Sequence, residues 1–279
     1  MNRWAWLGGA GMLLVPIFLS AMAFLDLVTA PPNAIVAGTP LVRLTATAPT
    51  ATPTADGVPA YLNGVAAYAL GDYAEAERLF REALVLSPGQ ANWLNSLGLA
   101  LAGQGRWTEA IATYDAALNR DATSAEVLYN RGAAYQALGA WATAEADFRA
   151  ALDVNPALTP AWVALGNVLQ DQDRLAEAVE AYQQASTRDP SSVTTWLNLG
   201  VAFANLEQWA AAATALEQAV QLDPAHVAAH YNLGVVYLRL AQTQLARLHF
   251  MTVLHLAPDS EWAVQATEQL ALSLTTVAP

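Results

Sequence analysis

The chain contains no cysteine and no lysine. Without cysteine there is no disulfide, no thiolate nucleophile and no cysteine-ligated metal. Without lysine there is neither a Schiff base nor a phosphate-loop lysine. Charge is scarce at 13% of residues, and it runs negative: 12 arginines against 24 acidic side chains give a net −12 over 279 residues. So acidic a chain lacks the basic face that neutralises phosphates, which excludes nucleic acid as a partner. Apolar residues are not scarce. They make up 55% of the chain, which excludes disorder throughout.

The longest uncharged run lies near the N-terminus. Trp4 to Leu25 is 22 positions without a charge, between Arg3 and Asp26. As a helix it would be about 33 Å long, enough to cross a hydrocarbon core of ~30 Å. This length predicts a transmembrane signal-anchor within 1–30. The alternative is a cleaved signal peptide, since Ala21-Met22-Ala23 fits a small-residue cleavage site. Arg3 on the short side, with the next arginine at Arg43, places the N-terminus inside and the remainder outside the cytoplasm. An alanine-rich chain without lysine points to a bacterium, so the expected location is a bacterial cell membrane, with a secreted form as the alternative. Residues 31–56 hold five Pro, six Thr and six Ala and read as an extended linker, a spacer or a glycosylated stalk.

From residue 57 the sequence repeats. Glycine recurs every 34 residues at Gly64, Gly98, Gly132, Gly166, Gly200 and Gly234. Twelve residues after each stands alanine, at Ala76, Ala110, Ala144, Ala178, Ala212 and Ala246. Four further on comes a ring or leucine: Phe80, Tyr114, Phe148, Tyr182, Leu216 and Phe250. Pro88, Pro156, Pro190, Pro224 and Pro258 close five of the six frames, and Ala122 stands in the other. The frames are 57–90, 91–124, 125–158, 159–192, 193–226 and 227–260. Each reads as two antiparallel helices with a short polar turn, and in the fifth the step Asp223-Pro224 ends the second. Glycine within a helix costs about 1 kcal/mol against alanine, so its recurrence implies a close crossing, expected against the alanine of the second helix. One pair cannot bury its apolar face alone, whereas stacked pairs share a core.

These columns resemble the tetratricopeptide repeat family, as in Trp196…Leu199-Gly200…Phe203…Ala212…Leu216…Pro224. The resemblance implies an all-α fold, a right-handed α-solenoid of six helix-turn-helix repeats. After Pro258, Asp259-Ser-Glu-Trp262 begins one more helix, and residues 261–279 supply a capping helix and tail. Asn63 and Arg131 replace the leucine before glycine and Thr243 an aromatic at the turn, so looser packing is expected there.

No cofactor, metal site or catalytic constellation emerges. His226 and His230 have a metal-compatible spacing but straddle an inter-repeat turn, and no glutamate follows His226. The nine tryptophans read as core. The resemblance instead implies a binding module whose groove is lined by the first helices. The lining columns are Leu62, Ser96, Asn130, Ala164, Asn198 and Asn232; Tyr61, Asn95, Tyr129, Val163, Leu197 and Tyr231; and Val65, Leu99, Ala133, Asn167, Val201 and Val235. Candidate peptide-binding residues are Asn95, Tyr129, Asn130, Asn167, Asn198, Tyr231 and Asn232. An asparagine amide donates to and accepts from a peptide backbone, and this partial series resembles the asparagine ladder of some family members. Alternatively the amides bridge neighbouring helices. The expected partner is a protein or peptide, bound without the basic clamp that some members use for a carboxylate. The alternatives are a secreted adaptor or a self-assembling regulatory subunit of a larger enzyme complex, with the oligomeric state open.

The anchor is directly testable. The full-length chain should fractionate with membranes, keep Met1 and resist carbonate extraction. A mature N-terminus at Phe24 would establish the cleaved form instead.

Overall fold

The computed structural model describes residues 57–275. The expected anchor over 1–30 and linker over 31–56 lie outside the described residues. Among the described residues there are thirteen helices and no strand. None of these helices is long and apolar enough to cross a membrane. The chain divides after Pro224 into two compact units.

The first unit holds five helix pairs: α1 (Val58–Ala69) with α2 (Tyr73–Leu86), α3 (Ala91–Gly103) with α4 (Trp107–Leu118), α5 (Ala125–Ala137) with α6 (Trp141–Val154), α7 (Thr159–Asp171) with α8 (Leu175–Arg188), and α9 (Val193–Asn205) with α10 (Trp209–Leu222). Within this unit α2, α4, α6 and α8 each pack on the first helix of the next pair, and α1, α3, α5 and α7 touch one another in succession. The first helices thus form one layer and the second helices another. This is the packing of a tetratricopeptide-type all-α solenoid.

Local chemistry sets the helix limits. Asp121, Asn155 and Asp189 each accept, through Oδ1, the N–H two residues on at 3.1 Å. Ser124 and Ser192 then cap α5 and α9 by accepting from Val127 and Thr195 N–H at 3.4 and 3.3 Å. Where Ala122 replaces proline the preceding helix ends early, at Leu118. There the Arg120 and Asp121 N–H groups both turn back on the Ala117 carbonyl at 3.0 Å.

The turn inside each pair needs one left-handed residue. Gly71, Gly105 and Gly139 supply it at φ 80°, 73° and 72°, whereas Asp173, Glu207 and Ala241 adopt it at 59°, 57° and 57°. Side chains with a Cβ enter that region at a cost of about 1–2 kcal/mol.

The helix crossing differs from the sequence expectation in its partner. A Cβ at the repeat glycine would meet the ring or leucine sixteen residues on, rather than the alanine twelve residues on. At Gly132 the nearest atoms are Phe148 Cε1 and Cδ1, at 2.8 and 2.9 Å. Only Gly200 also has an atom of its alanine among its nearest neighbours, the Ala212 carbonyl oxygen at 3.3 Å. The alanines Ala76, Ala110, Ala144, Ala178 and Ala212 are buried all the same. The tryptophans also depart from a uniform core role. Trp93 is buried and stacks on Tyr61 with ring centroids 4.9 Å apart. Trp141 is exposed, and Trp107 and Trp209 are half-buried. Trp162 and Trp196 each donate Nε1–H to the carbonyl of the preceding Pro156 or Pro190 at 2.9 Å.

The second unit contains α11 (Val227–Arg239), α12 (Thr243–Leu256) and α13 (Glu261–Thr275). Ser260 caps α13 through Oγ, which accepts from Ala263 N–H at 3.2 Å. Helix α13 packs on both others, burying Ala263 and Ala266 and setting Trp262 5.0 Å from Tyr231. It covers α11 and α12 as the first helix of a further pair would.

The crossing yields a stability test. Gly132→Ala should destabilise by about 1–3 kcal/mol in urea denaturation followed by circular dichroism, because the Phe148 ring fills that space. Adding Phe148→Leu, the residue type found at Leu216, should recover part of the loss. No recovery in the double variant would refute the ring as the cause.

Candidate functional site

The first-helix layer carries the amides singled out in the sequence, and in the first unit the structure brings them together in pairs across repeats. Asn130 on α5 donates Nδ2–H to Asn95 Oδ1 on α3 at 3.0 Å. Asn198 on α9 donates Nδ2–H to Asn167 Oδ1 on α7 at 3.1 Å. The Tyr182 hydroxyl, from α8, donates to the same Asn167 Oδ1 at 2.7 Å. Burial, then the Asp171 charge, raises the Tyr182 pKa far above its usual value, so this phenol stays a donor. Asn167 Oδ1 thus accepts two hydrogen bonds, which fixes the carboxamide plane and leaves its –NH2 as the end that can donate to a ligand. At the first junction Tyr61 and Ser96 hydroxyls take the equivalent place, 3.3 Å apart.

Tyr129 stands elsewhere than on an open surface. Its side chain is 0% exposed and its ring packs on Phe148 at a centroid distance of 5.7 Å. Burial raises its pKa. Tyr61 packs on Phe80 in the same way, at 5.6 Å. The two columns are matched in size. Phe80 and Phe148 face a tyrosine, whereas the larger Tyr114 and Tyr182 belong to repeats that hold Asn95 and Val163 in its place. The two columns share one space, which their spacing in the sequence does not show.

The junctions also carry charge. Glu77 on α2 accepts from Gln104 Nε2–H at 2.9 Å and Arg106 Nη1–H at 2.5 Å, both of the next repeat. Two repeats on, Glu145 on α6 accepts from Gln172 Nε2–H at 2.8 Å and Arg174 Nη1–H at 2.7 Å, and also pairs with Arg149. Burial alone would raise the Glu145 carboxyl. Hydrogen bonds from Arg174 and Gln172, with the Arg149 and Arg174 charges, outweigh it and hold the carboxyl below its usual 4.5. Glu77 is lowered against its burial in the same way, by Gln104, Arg81 and Arg106. Arg131 corrects an expectation. Rather than loosening the packing, it forms a two-pronged bridge to Asp147 at 2.6 and 2.8 Å and reaches Asp115 of the preceding repeat at 2.6 Å. A guanidinium has five N–H donors in a fixed fork, so one side chain ties two second helices.

In the second unit Tyr231 is 3% exposed, with Phe250 at 5.8 Å. Burial, then the Glu268 charge, pushes its phenol up to about 12. Asn232 is buried on the same helix. His226 caps α11, accepting from Ala229 N–H through Nδ1 at 3.2 Å. His230 faces His249 instead, Nδ1 to Nδ1 at 2.9 Å, a pairing that spacing alone did not reveal. Among the described residues no three histidine or carboxylate groups converge as a metal site would require.

Tetratricopeptide repeat models match residues 61–126 and 125–158, and a TPR repeat model matches 166–206 and 204–240. No curated protein matches the chain in sequence. Among solved structures, YrrB, described as a TPR protein with an unusual peptide-binding site, aligns at TM-score 0.60 and 23% identity over 68% of this chain and 97% of its own. MamA from Desulfovibrio magneticus aligns at 0.58 and 24% over 61% and 97%. Pseudomonas aeruginosa pilF aligns at 0.68 and 16% over 76% and 97%. At these identities the likeness is one of fold.

The carboxylate straps make stability depend on pH. A carboxyl whose folded pKa is lowered stabilises the fold above its unfolded value and loses that contribution as pH falls through the folded one. Unfolding free energy should therefore drop below about pH 4.5, the ordinary glutamate value. Glu145→Gln should cost about 2 kcal/mol at pH 7 and flatten the acid limb. An unchanged acid limb in the variant would show that the strap is not the titrating element.

Proposed function

The chain belongs to the tetratricopeptide repeat family, and on that premise we propose that it is a protein-interaction scaffold rather than an enzyme. It holds extended peptide segments along the first-helix face of its five-repeat unit and is tethered to a membrane by its N-terminal apolar run. The observation that carries the peptide reading is the pair of cross-repeat amide contacts, Asn95–Asn130 and Asn167–Asn198. They support both meanings of the asparagine series at once. Each pair bridges two helices, and bridging holds the carboxamide in one orientation, so a peptide need not supply the ordering entropy. An oriented amide bonds backbone groups whatever the side chains. That suits a scaffold that takes segments of varied sequence.

Tyr129 and Tyr231 enter this reading as rings that set the shape beneath the face, since both are buried. Of the four amides Asn167 is half-buried and carries the direct contact with apolar neighbours such as Val163, whereas Asn95, Asn130 and Asn198 are buried and hold the row in place beneath it. The tether rests on the length of the Trp4–Leu25 run, and Arg3 orients the repeats away from the cytoplasm. No base stands in the lining columns, so binding should be insensitive to ionic strength.

The test is a peptide selected from a random display library against the immobilised full-length chain, then titrated calorimetrically. Asn130, Asn167 and Asn198 changed together to alanine should weaken binding by about 3 kcal/mol, over a hundredfold, if each amide contributes about 1 kcal/mol, by its own bond to the peptide or by orienting its partner. Wild-type affinity should change little between low and high salt, and the variant should keep its helical spectrum. A triple variant that binds as wild type, or an affinity that collapses with salt, would move the site off the first-helix layer.

A further inference from the structure

The outward face of α12 is unlike that of any other second helix. Leu245, Leu248 and Met251 are 42, 58 and 59% exposed. In α2 the same three columns hold Glu75, Arg78 and Arg81, and in α8 they hold Glu177, Glu180 and Gln183. Spacings of three residues put the three apolar side chains on one side of the helix, with Thr252 beside them. Thr243–Leu256 contains no carboxylate. The contrast extends to the whole unit. Residues 57–224 carry 19 acidic side chains and eight arginines, a net −11, whereas residues 225–279 carry three and two, a net −1.

We propose that this face is a self-association surface, on which α12 of one chain packs against α12 of a second copy across a two-fold axis through Leu248. The argument for a second copy is electrostatic. Two chains of net −12 repel wherever acidic helices approach. The α12 face is where apolar surface can be buried between copies with no carboxylate opposing another. A two-fold axis sets each residue near its own counterpart, so a self-pairing patch must be uncharged at its centre. Leu248 meets that condition, flanked by Leu245 on one side and Met251 on the other. A pliable methionine lets such a patch fit its own image. Leu248 is more than half exposed, so its substitution acts on association more than on the monomer fold. The surface is separate from the amide row of the first unit and does not depend on peptide binding.

Because the chain has no cysteine, one introduced thiol is an unambiguous probe. In full-length protein in detergent solution, Leu248→Cys should form a disulfide-linked dimer on mild oxidation. Glu180→Cys, in the same column of α8, should remain monomeric. Leu248→Glu should raise the dimer dissociation constant in sedimentation equilibrium at least tenfold, with an unchanged circular dichroism spectrum. A wild-type chain that sediments as a monomer, or equal crosslinking at the two positions, overturns the proposal. A Leu248→Cys protein that does not crosslink, but whose attached polarity-sensitive fluorophore shifts to the blue on phosphatidylcholine vesicles, also overturns it and assigns the face to lipid.

Discussion

At every repeat of this chain two helices cross with a ring or leucine pressed into the space a glycine leaves open. Everything else in a repeat is arranged around that contact. The ring needs glycine beneath it, since at Gly64, Gly132 and Gly234 a Cβ would lie within 2.8 Å of a phenylalanine ring carbon. It also limits what stands beside it, a tyrosine over phenylalanine and a smaller Asn95 or Val163 where the ring is itself tyrosine. Interiors pack near crystalline density, so one methylene too many in any of these positions is felt by the others. A helix pair held this way still leaves apolar sides uncovered, and the neighbouring pair covers them.

What joins neighbouring pairs is partly polar, and it alternates. Glutamate–glutamine–arginine straps tie the first pair to the second and the third to the fourth. Asparagine pairs tie the second to the third and the fourth to the fifth. An apolar interface fixes distance but slides easily. A hydrogen-bonded carboxylate or amide fixes register, because a half-made buried network is costly. The same feature makes the first-helix face suitable for recognition. The side chains that would meet a peptide are the ones held still for structural reasons, and Asn167, gripped by Tyr182 and Asn198, is the clearest instance.

Much of this architecture was legible before any coordinates. Six glycines at one interval, with alanine, ring and proline columns in step, specify helix pairs and the family, because those residue types have local reasons to stand there. The partner of the glycine was misread. Sequence spacing places both alanine and ring on the facing helix, and the angle at which the helices cross decides which of them fills the gap. Arg131 was misread for a related reason. A charge in an apolar column looks like a defect until Asp115, sixteen residues before it, and Asp147, sixteen after, are found to converge on it. The left-handed turn column passed unnoticed because Asp173, Glu207 and Ala241 conceal what Gly71, Gly105 and Gly139 reveal.

The sequence by itself determined the helices, their pairing and the order of the repeats, since these follow from periodicity, glycine, proline and capping residues acting over a few positions. Which amides touch, whether Tyr129 faces solvent or core, that His230 meets His249, and that α12 turns leucine and methionine outward were decided only by the tertiary structure. Those facts depend on where side chains from helices far apart in the chain come to rest against one another. A repeat pattern specifies that packing on average, and the individual substitutions in each frame determine it in detail.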